Sequence, residues 1–277
     1  MSNFDGQVIV ITGGAKGQGR SHAVAFAERG ADIVICDIAE QIPCASPMGS
    51  LEDLAHTRDL IEATGHRCMT VQADTRDAAA MRDLVAKTIA EFGRIDVFIA
   101  NAGIAAFGPL SSMPDDMWFD VVDVNLTGVA NSIRAVVPHM IEQGSGRIVA
   151  TASIVGREGG PNNANYAASK WGVIGFVKSL AVELAPHGVT INALSPMSVS
   201  TDMCHNDKTY TLFRPDLADP TTDDVRDTFA GLNPMKVPWL ELEDSTASVL
   251  FLSSDEARYI TGTSLDVAGG WNANHCA

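Results

Sequence analysis

The sequence predicts an α/β fold in which helices cover both faces of one parallel β-sheet. Short β-branched runs alternate along the chain with helix-length amphipathic stretches, and this pattern is the first observation that favours the class. The second is that these stretches are long enough to form the crossovers that parallel strands require. A hydrophobic content of 46% allows a large buried core. The sequence therefore predicts one Rossmann-type, doubly wound domain over residues 1–277.

The individual strands and helices follow from this alternation in chain order. Strands are predicted at Gln7–Ile11, Asp32–Cys36, Cys68–Gln72, Val97–Ala100, Gly146–Thr151, Thr190–Leu194 and Ser264–Val267. Helices are predicted at Gly19–Arg29, Ala78–Phe92, Met117–Met140, Asn165–Ala185 and Glu243–Leu252. Each strand-helix-strand run forms a right-handed unit of a parallel sheet.

Two segments do not fit the alternation. Residues 39–65 contain Pro43, Pro47 and Gly49 before a helical pattern resumes, so we predict an insertion after the second strand. Residues 197–239 carry four prolines among Met, Phe and Trp side chains. We interpret this second segment as a lid over a substrate site.

Charge and composition disfavour several classes of protein. A net charge of −15 without a Lys/Arg cluster argues against a nucleic-acid partner. The apolar runs are of strand length, far below the roughly 20 residues of a membrane span, and the N-terminal residues do not resemble a signal peptide, so a cytoplasmic enzyme is expected. Five scattered cysteines without a Cys-x-x-Cys pair predict free thiols, and the histidine spacing predicts no metal site.

A glycine-rich loop, Thr12-Gly-Gly-Ala-Lys-Gly-Gln-Gly19, lies between the first predicted strand and the first helix. In this context Gly13 permits a tight turn, Gly17 lets the backbone approach a pyrophosphate, and Gly19 permits close packing at the helix start. A plain glycine-rich turn is the simplest alternative. A nucleoside-triphosphatase loop is disfavoured because Arg20 follows the last glycine, where that loop has lysine. The loop predicts a dinucleotide site.

Asp37 ends the second predicted strand and indicates which dinucleotide binds. A carboxylate there accepts hydrogen bonds from the adenosine ribose and repels a 2′-phosphate, which favours NAD over NADP. Lys16 is the one contrary sign, because a cation in the loop could approach a phosphate. The cofactor-binding residues predicted from this half of the chain are Gly13, Lys16, Gly17, Gln18, Gly19, Asp37, Ile38, Asp74, Thr75, Asn101, Ala102 and Gly103.

Tyr166 and Lys170 define a candidate reaction centre on a predicted helix. Their i,i+4 spacing places a phenol and an ammonium on one helix face. A nearby Lys⁺ and an oxidised nicotinamide would lower the phenol pKa from about 10 toward working pH, so that Tyr166 can remove an alcohol proton. Ser153 would hold the substrate oxygen, and Asn125 would hold a water that connects Lys170 to solvent. Alone, such a pair is more often a surface feature.

In chain order, the glycine loop, Asn101-Ala-Gly103, Asn125, Ser153 and Tyr166-x-x-x-Lys170 resemble the short-chain dehydrogenase/reductase family over nearly the entire chain. The resemblance implies the roles given above, with Tyr166 and Lys170 also contacting the cofactor and Lys170 binding the nicotinamide ribose. It further implies that Pro196, Met197, Val199 and Thr201 contact the carboxamide, although Met197 replaces the usual glycine. It also implies a homotetramer in which the long helices pair.

A narrower resemblance rests on Gly17-Gln-Gly-Arg-Ser-His-Ala23 and on the insertion with Leu51-Glu-Asp-Leu54. These motifs resemble the mycofactocin-associated, carveol-dehydrogenase-like subfamily. That resemblance implies a tightly bound, non-exchanging NAD, which the insertion screens and a partner redox cofactor reoxidises. A subunit contact or a passive surface loop remains an alternative role for the insertion.

The expected substrate pocket is mostly apolar. Its candidate residues are Ile104, Phe107, Ile154, Val155, Met197, Met203, Phe213 and Trp239. Such a pocket suits a hydrophobic secondary alcohol, for example a cyclic or terpenoid one, and its ketone, because it offers few partners to a charged group. The same residues could simply form core, and Arg157, Arg214 and Arg226 leave an anionic substrate open.

Other functions were weighed against alcohol oxidation. A catalytically silent NAD-binding sensor or scaffold protein would need only the cofactor cleft, whereas the set of Asn125, Ser153, Tyr166 and Lys170 favours an enzyme. A nucleotide-sugar epimerase usually needs a larger C-terminal domain than this chain allows. Enoyl reductases of similar fold space their tyrosine and lysine further apart.

Overall fold

A computed structural model describes residues 3–274, in which seven parallel strands form one sheet. The strands are β1 Val8–Thr12, β2 Asp32–Asp37, β3 Cys68–Gln72, β4 Val97–Ala100, β5 Gly146–Thr151, β6 Val189–Pro196 and β7 Ser264–Val267. Their order across the sheet is β3-β2-β1-β4-β5-β6-β7. The order reverses between β1 and β4, and ligands of such sheets bind at the carboxyl ends of the strands beside this reversal.

The α-helices of the described chain connect or flank these strands. They are α1 Gly17–Ala27, α2 Leu51–Glu62, α3 Ala78–Phe92, α4 Asp115–Val122, α5 Val129–Gln143, α6 Ala164–Leu184, α7 Asp207–Phe213, α8 Thr222–Gly231 and α9 Leu242–Ser253. A π-helical turn, Asp123–Gly128, joins α4 to α5, so that one continuous helix replaces the predicted Met117–Met140 helix. Such π turns frequently occur at functional sites.

The sheet is buried on both faces, as the predicted class requires. Alternate strand residues such as Val10 and Val34 pack with α3, α5 and α6 on one face. Their neighbours Ile9 and Ile33 pack with α1, α2 and α9 on the other. Continuous β-branched strands suit this double burial. The predicted doubly wound sheet is confirmed, and the four strands β3, β4, β5 and β7 coincide with their predicted bounds.

The two irregular segments contain short helices of their own. Within residues 39–65, an extended loop leads to α2, which begins with a capping box between Ser50 and Asp53. Within residues 197–239, α7 and α8 pack together through a small cluster that includes Tyr210 and Phe229. Both segments lie near the carboxyl ends of the strands, because they follow β2 and β6.

Two further expectations from the sequence concern membrane-spanning helices and the cysteine thiols. Across residues 3–274, no helix has the length and apolarity needed to cross a membrane. Cys36, Cys44, Cys68 and Cys204 have free thiols. Cys276 lies outside the described residues.

Candidate active site

The glycine loop forms a cradle between β1 and α1. Gly13 has φ +69°, and a Cβ there would lie 2.9 Å from Ala102 Cα. A Cβ at Gly19 would lie 2.0 Å from the carbonyl oxygen of Gly13, so Gly19 permits close packing of α1 on the loop. No side chain caps the start of α1, which leaves the N–H groups of its first turn available to an anion.

Thr12 and Asn101 hold the cradle against β4. The Thr12 hydroxyl accepts hydrogen bonds from the backbone N–H groups of Asn101 and Ala102, each at 3.0 Å. The Asn101 amide in turn donates to the carbonyl oxygen of Thr12 at 3.1 Å. These bonds fix the two loops that lie on either side of the strand-order reversal.

Asp37 lies at the end of β2, beside the cradle. Its carboxylate accepts hydrogen bonds from the N–H groups of Ala15, at 3.1 Å, and Ala39, at 3.0 Å. Burial raises the pKa of Asp37, and these two hydrogen bonds oppose that rise. A carboxylate at this position fits the adenosine ribose of NAD.

Together these parts border a cleft that encloses about 970 Å³ of space, part of which is open to solvent. The sequence-predicted cofactor residues that line it are Gly13, Lys16, Gly17, Gln18, Asp37, Ile38, Asp74, Thr75, Asn101, Ala102, Gly103 and Thr201. The crowded glycine positions, the free helix start and the Asp37 carboxylate fit a dinucleotide with an unphosphorylated ribose. Lys16, the contrary sign, forms an ion pair with Asp202, so its charge has a partner within the protein.

The insertion covers part of this cleft, and sequence reasoning did not name its lining residues. Ile42, Ala45 and Met48 contribute apolar atoms to the cleft wall. Lys208, at the start of α7, donates to the carbonyl oxygens of Cys44 and Ala45, both at 3.3 Å. The insertion and the predicted lid therefore meet over the cofactor cleft.

A second cavity, of about 1080 Å³, adjoins the first and contains the candidate reaction centre. Ser153, Tyr166 and Lys170 all line it, as do the predicted cofactor residues Pro196, Met197 and Val199. Gln18, Asn101, Gly103, Ile104, Ala105, Thr201 and Met203 line both cavities. The reaction centre therefore lies where the two spaces join.

Burial shifts the pKa values of both Tyr166 and Lys170. Burial raises the pKa of Tyr166, whereas a hydrogen bond with Ser153 lowers it, and burial is the larger cause. Lys170 lies with its Nζ 5.6 Å from the centre of the Tyr166 ring and donates to the Thr151 carbonyl oxygen at 2.8 Å. Burial lowers the pKa of Lys170 to about 8. Among the groups of this chain, burial is thus the larger influence on the Tyr166 pKa, and the expected lowering by Lys⁺ together with an oxidised nicotinamide stays a prediction.

Asn125 lies in the π turn, and its side chain is committed to the protein. Its amide oxygen accepts from the Ile104 N–H at 2.8 Å, while its amide nitrogen donates to the Ile104 carbonyl oxygen at 2.9 Å. The same nitrogen lies 3.2 Å from the Ser169 hydroxyl. The side chain therefore joins the loop after β4 to α6. The expected role of Asn125 in holding a water stays a prediction.

Most of the expected substrate residues lie on the second cavity: Ile104, Phe107, Ile154, Val155, Met197, Met203 and Phe213. Trp239 was also expected to line this cavity, but it does not. Its ring packs edge-on against His205, with 4.7 Å between the ring centres, behind the cavity wall. Leu212, Phe229 and Trp271 line the cavity and were missed. The apolar spacing of α7 carries a signal for Leu212 only, whereas Trp271 is brought in by tertiary structure.

Three arginines were considered as partners for an anionic substrate, but each contacts another side chain of the protein. Arg157 pairs with Asp266 at 3.3 Å, and Arg214 pairs with Asp216 at 2.8 Å. Arg226 lies over the Trp239 ring, 4.7 Å from its centre. Arg157 and Arg214 are therefore paired with carboxylates of the protein, and Arg226 stacks on an aromatic ring.

A dinucleotide cleft that opens onto a buried Ser-Tyr-Lys group defines an oxidoreductase of the hydride-transfer class. A profile of the family described as short chain dehydrogenase matches residues 7–210. The chain belongs to this family.

Three relatives are similar to this chain over nearly its whole length. A (-)-trans-carveol dehydrogenase from Rhodococcus erythropolis is 41% identical over 274 residues, which cover 98% of this chain and 99% of that relative. The crystal structure of carveol dehydrogenase from Mycobacterium avium in complex with NAD has a TM-score of 0.96 and 43% identity, and covers 99% of this chain and 100% of its own. A short chain dehydrogenase from Mycobacterium paratuberculosis bound to NAD has a TM-score of 0.88 and 33% identity over 98% and 99% of the two chains.

Proposed function

We propose that this NAD-dependent alcohol dehydrogenase interconverts a hydrophobic, cyclic secondary alcohol and its ketone. The observation that carries the proposal is the position of Tyr166, Ser153 and Lys170 on an apolar cavity that is continuous with the dinucleotide cleft. A catalytically silent sensor would need no such second cavity.

In the proposed oxidation, Ser153 donates a hydrogen bond to the substrate oxygen while Tyr166 accepts its proton. Lys170 lies beneath the tyrosine and, when protonated, stabilises the phenolate. NAD, when bound, supplies the hydride acceptor. Asn125 holds the loop that carries Ile104, which is part of the cavity wall.

The substrate class is inferred from the cavity and from the relatives. Aromatic rings of Phe107, Phe213, Phe229 and Trp271 share the wall with aliphatic side chains. Such a surface suits a cyclic or terpenoid skeleton better than a charged one. The carveol dehydrogenases among the relatives support this class.

We also propose that NAD is held tightly by residues 39–50 of the insertion and is reoxidised by a partner redox cofactor, as in the subfamily that the sequence resembles. The contacts of Lys208 with the insertion support slow exchange, since the cleft cannot open there without breaking them.

The free thiols of the described cysteines suit a reducing cytoplasm.

A homotetramer is the proposed assembly. Large apolar side chains are exposed on the two longest helical segments: Phe119 on α4, and Trp171 and Val182 on α6, with Val182 79% exposed. Exposed apolar residues on these helices favour burial between identical subunits.

The test of the proposed function is turnover of carveol by the purified wild-type protein and by Tyr166→Phe. Wild-type protein is expected to oxidise the alcohol with added NAD⁺ or with an artificial electron acceptor, whereas Tyr166→Phe should lose at least about a hundredfold in kcat and still bind NAD. Nucleotide released on denaturation identifies the resident cofactor. Undiminished turnover by Tyr166→Phe would remove the proposed base, and turnover only with the artificial acceptor supports retained NAD.

A further inference from the structure

Trp271 is a part of the substrate cavity that lies far from the catalytic group in sequence. It begins the single helical turn Trp271–Asn274, which follows β7, and its side chain lines the cavity. It packs against a buried cluster that includes Ile154 and Met197, two other cavity residues. A large flat side chain therefore forms a continuous wall with the segment that follows Ser153.

The backbone before Trp271 adopts a conformation that requires glycine. Gly269 and Gly270 have φ values of +57° and +82°, which side chains rarely adopt. A Cβ at Gly269 would lie 2.7 Å from the Asn233 amide oxygen. The N–H of Trp271 then donates to the Ala268 carbonyl oxygen at 2.9 Å, which closes the turn.

A charged network ties this turn to the opposite end of the same wall. Asp266 on β7 accepts a hydrogen bond from Asn272, next to Trp271, and its carboxylate lies 3.3 Å from Arg157 Nε. Arg157 also donates to the Ser264 carbonyl oxygen at 3.2 Å. The Arg157 and Asp266 side chains are only 20% and 15% exposed, so their attraction is weakly screened.

Arg157 occupies a position from which it can order the wall. It follows the short turn Ile154–Gly156, which begins directly after Ser153 and carries the cavity residues Ile154 and Val155. The ion pair therefore joins the segment that holds the catalytic serine to the segment that holds Trp271. Neither charge is offered to the substrate.

We propose that Trp271 is a specificity-determining residue that selects secondary alcohols whose carbinol carbon belongs to a ring, and that Arg157 and Asp266 are positioning residues that hold it. The inference rests on the proposed alcohol oxidation and names the part of the protein that recognises the ring. A flat aromatic wall gains contact area with a ring that it cannot gain with a short acyclic chain.

The test compares kcat/KM for carveol and for 2-butanol in wild-type protein, Trp271→Ala and Trp271→Phe, with an artificial electron acceptor present. Trp271→Ala is expected to lower the carveol to 2-butanol ratio about tenfold, through KM for carveol, while 2-butanol turnover shows that the fold and chemistry remain. Trp271→Phe should lower it less. Trp118→Ala, on α4 and not among the residues that line either cavity, is the matched control and should leave the ratio unchanged.

A double-mutant cycle tests the positioning role. Asp266→Asn should lower the same ratio in the wild-type background and add nothing in the Trp271→Ala background, because it acts through the tryptophan. Independent, multiplicative losses would overturn the positioning role. An unchanged ratio in Trp271→Ala, with both alcohols oxidised by wild type, would overturn the specificity role and leave the proposed function standing. Oxidation of neither alcohol by wild type would overturn both.

Discussion

At the scale of single residues, the reaction centre contains two side chains, Tyr166 and Lys170, whose charged forms are disfavoured by burial. Burial raises the pKa of Tyr166 and lowers that of Lys170 to about 8. Each side chain is thus kept closer to its neutral form than in water. Sites of catalysis commonly carry such a cost in stability.

The Lys170 shift predicts how stability depends on pH. The folded pKa, about 8, lies below the ordinary value of 10.5, so between these values the unfolded chain keeps a proton that the folded chain has lost. Stability should therefore rise with pH across that window, and below pH 8 the full cost of the buried charge remains. Lys170→Met should abolish turnover, raise the free energy of unfolding at pH 7 by up to roughly 3 kcal/mol, and remove the rise above pH 8.

Urea unfolding at pH 7 and pH 9.5 measures this effect. Lys87→Met is the control, because Lys87 is exposed on α3. It should change neither the stability nor its pH dependence. If Lys170→Met proved less stable than wild type at both pH values, the contribution of its bond to Thr151 would outweigh the desolvation and the prediction would be wrong.

At the scale of elements, the insertion and the lid are two irregular segments that meet over the cofactor cleft. Ser50 and Asp53 start α2 firmly, so the loop of residues 39–50 is held at both ends. Lys208 then connects α7 to that loop. We therefore expect that opening of the predicted lid, residues 197–239, and release of NAD are coupled movements.

Weakening this connection should speed cofactor release. Lys208 is exposed, so its two hydrogen bonds contribute little each, and Lys208→Ala should raise the rate of NAD release about threefold. Exchange of bound NAD against isotopically labelled NAD gives the rate. Lys87→Ala, which removes a surface ion pair with Asp83 on α3, should release NAD at the wild-type rate. Equal rates in all three proteins would show that the Lys208 contacts do not retain the cofactor.

At the scale of the whole molecule, the packing of α1 on α9 buries a titratable side chain. His22 is fully buried, and its Nδ1 lies 2.8 Å from the Thr246 hydroxyl on α9. Among the described residues, its Nε2 has no hydrogen-bond partner. Burial lowers the pKa of His22 to about 3, so the folded protein keeps this imidazole neutral.

This histidine should make the fold sensitive to acid. Its folded pKa lies below the ordinary value of 6.5, so stability is lost as pH falls from 6.5 toward 3, at up to about 1.4 kcal/mol per pH unit. Between pH 7 and pH 5, His22→Leu should lose roughly 2 kcal/mol less than wild type in urea unfolding. His56→Leu, at an exposed position on α2, should lose as much as wild type does. An equal loss in His22→Leu and wild type would refute this assignment.

The sequence by itself determined the sheet, the NAD-binding edge and the type of chemistry. These properties follow from local signals: strand and helix periodicity, glycines required by a tight turn, a carboxylate at a strand end, and the i,i+4 spacing of Tyr166 and Lys170. Each is read from residues close together in the chain, which is why most predicted cofactor residues line the observed cleft.

Only the tertiary structure decided how side chains distant in sequence meet. Trp271 reaches the substrate wall and Trp239 lies behind it, although both are tryptophans in apolar surroundings. Asn125 bonds to the loop after β4, and burial raises the pKa of Tyr166. The physical reason is that burial and packing depend on all elements around a residue, whereas local patterns record only its neighbours in the chain.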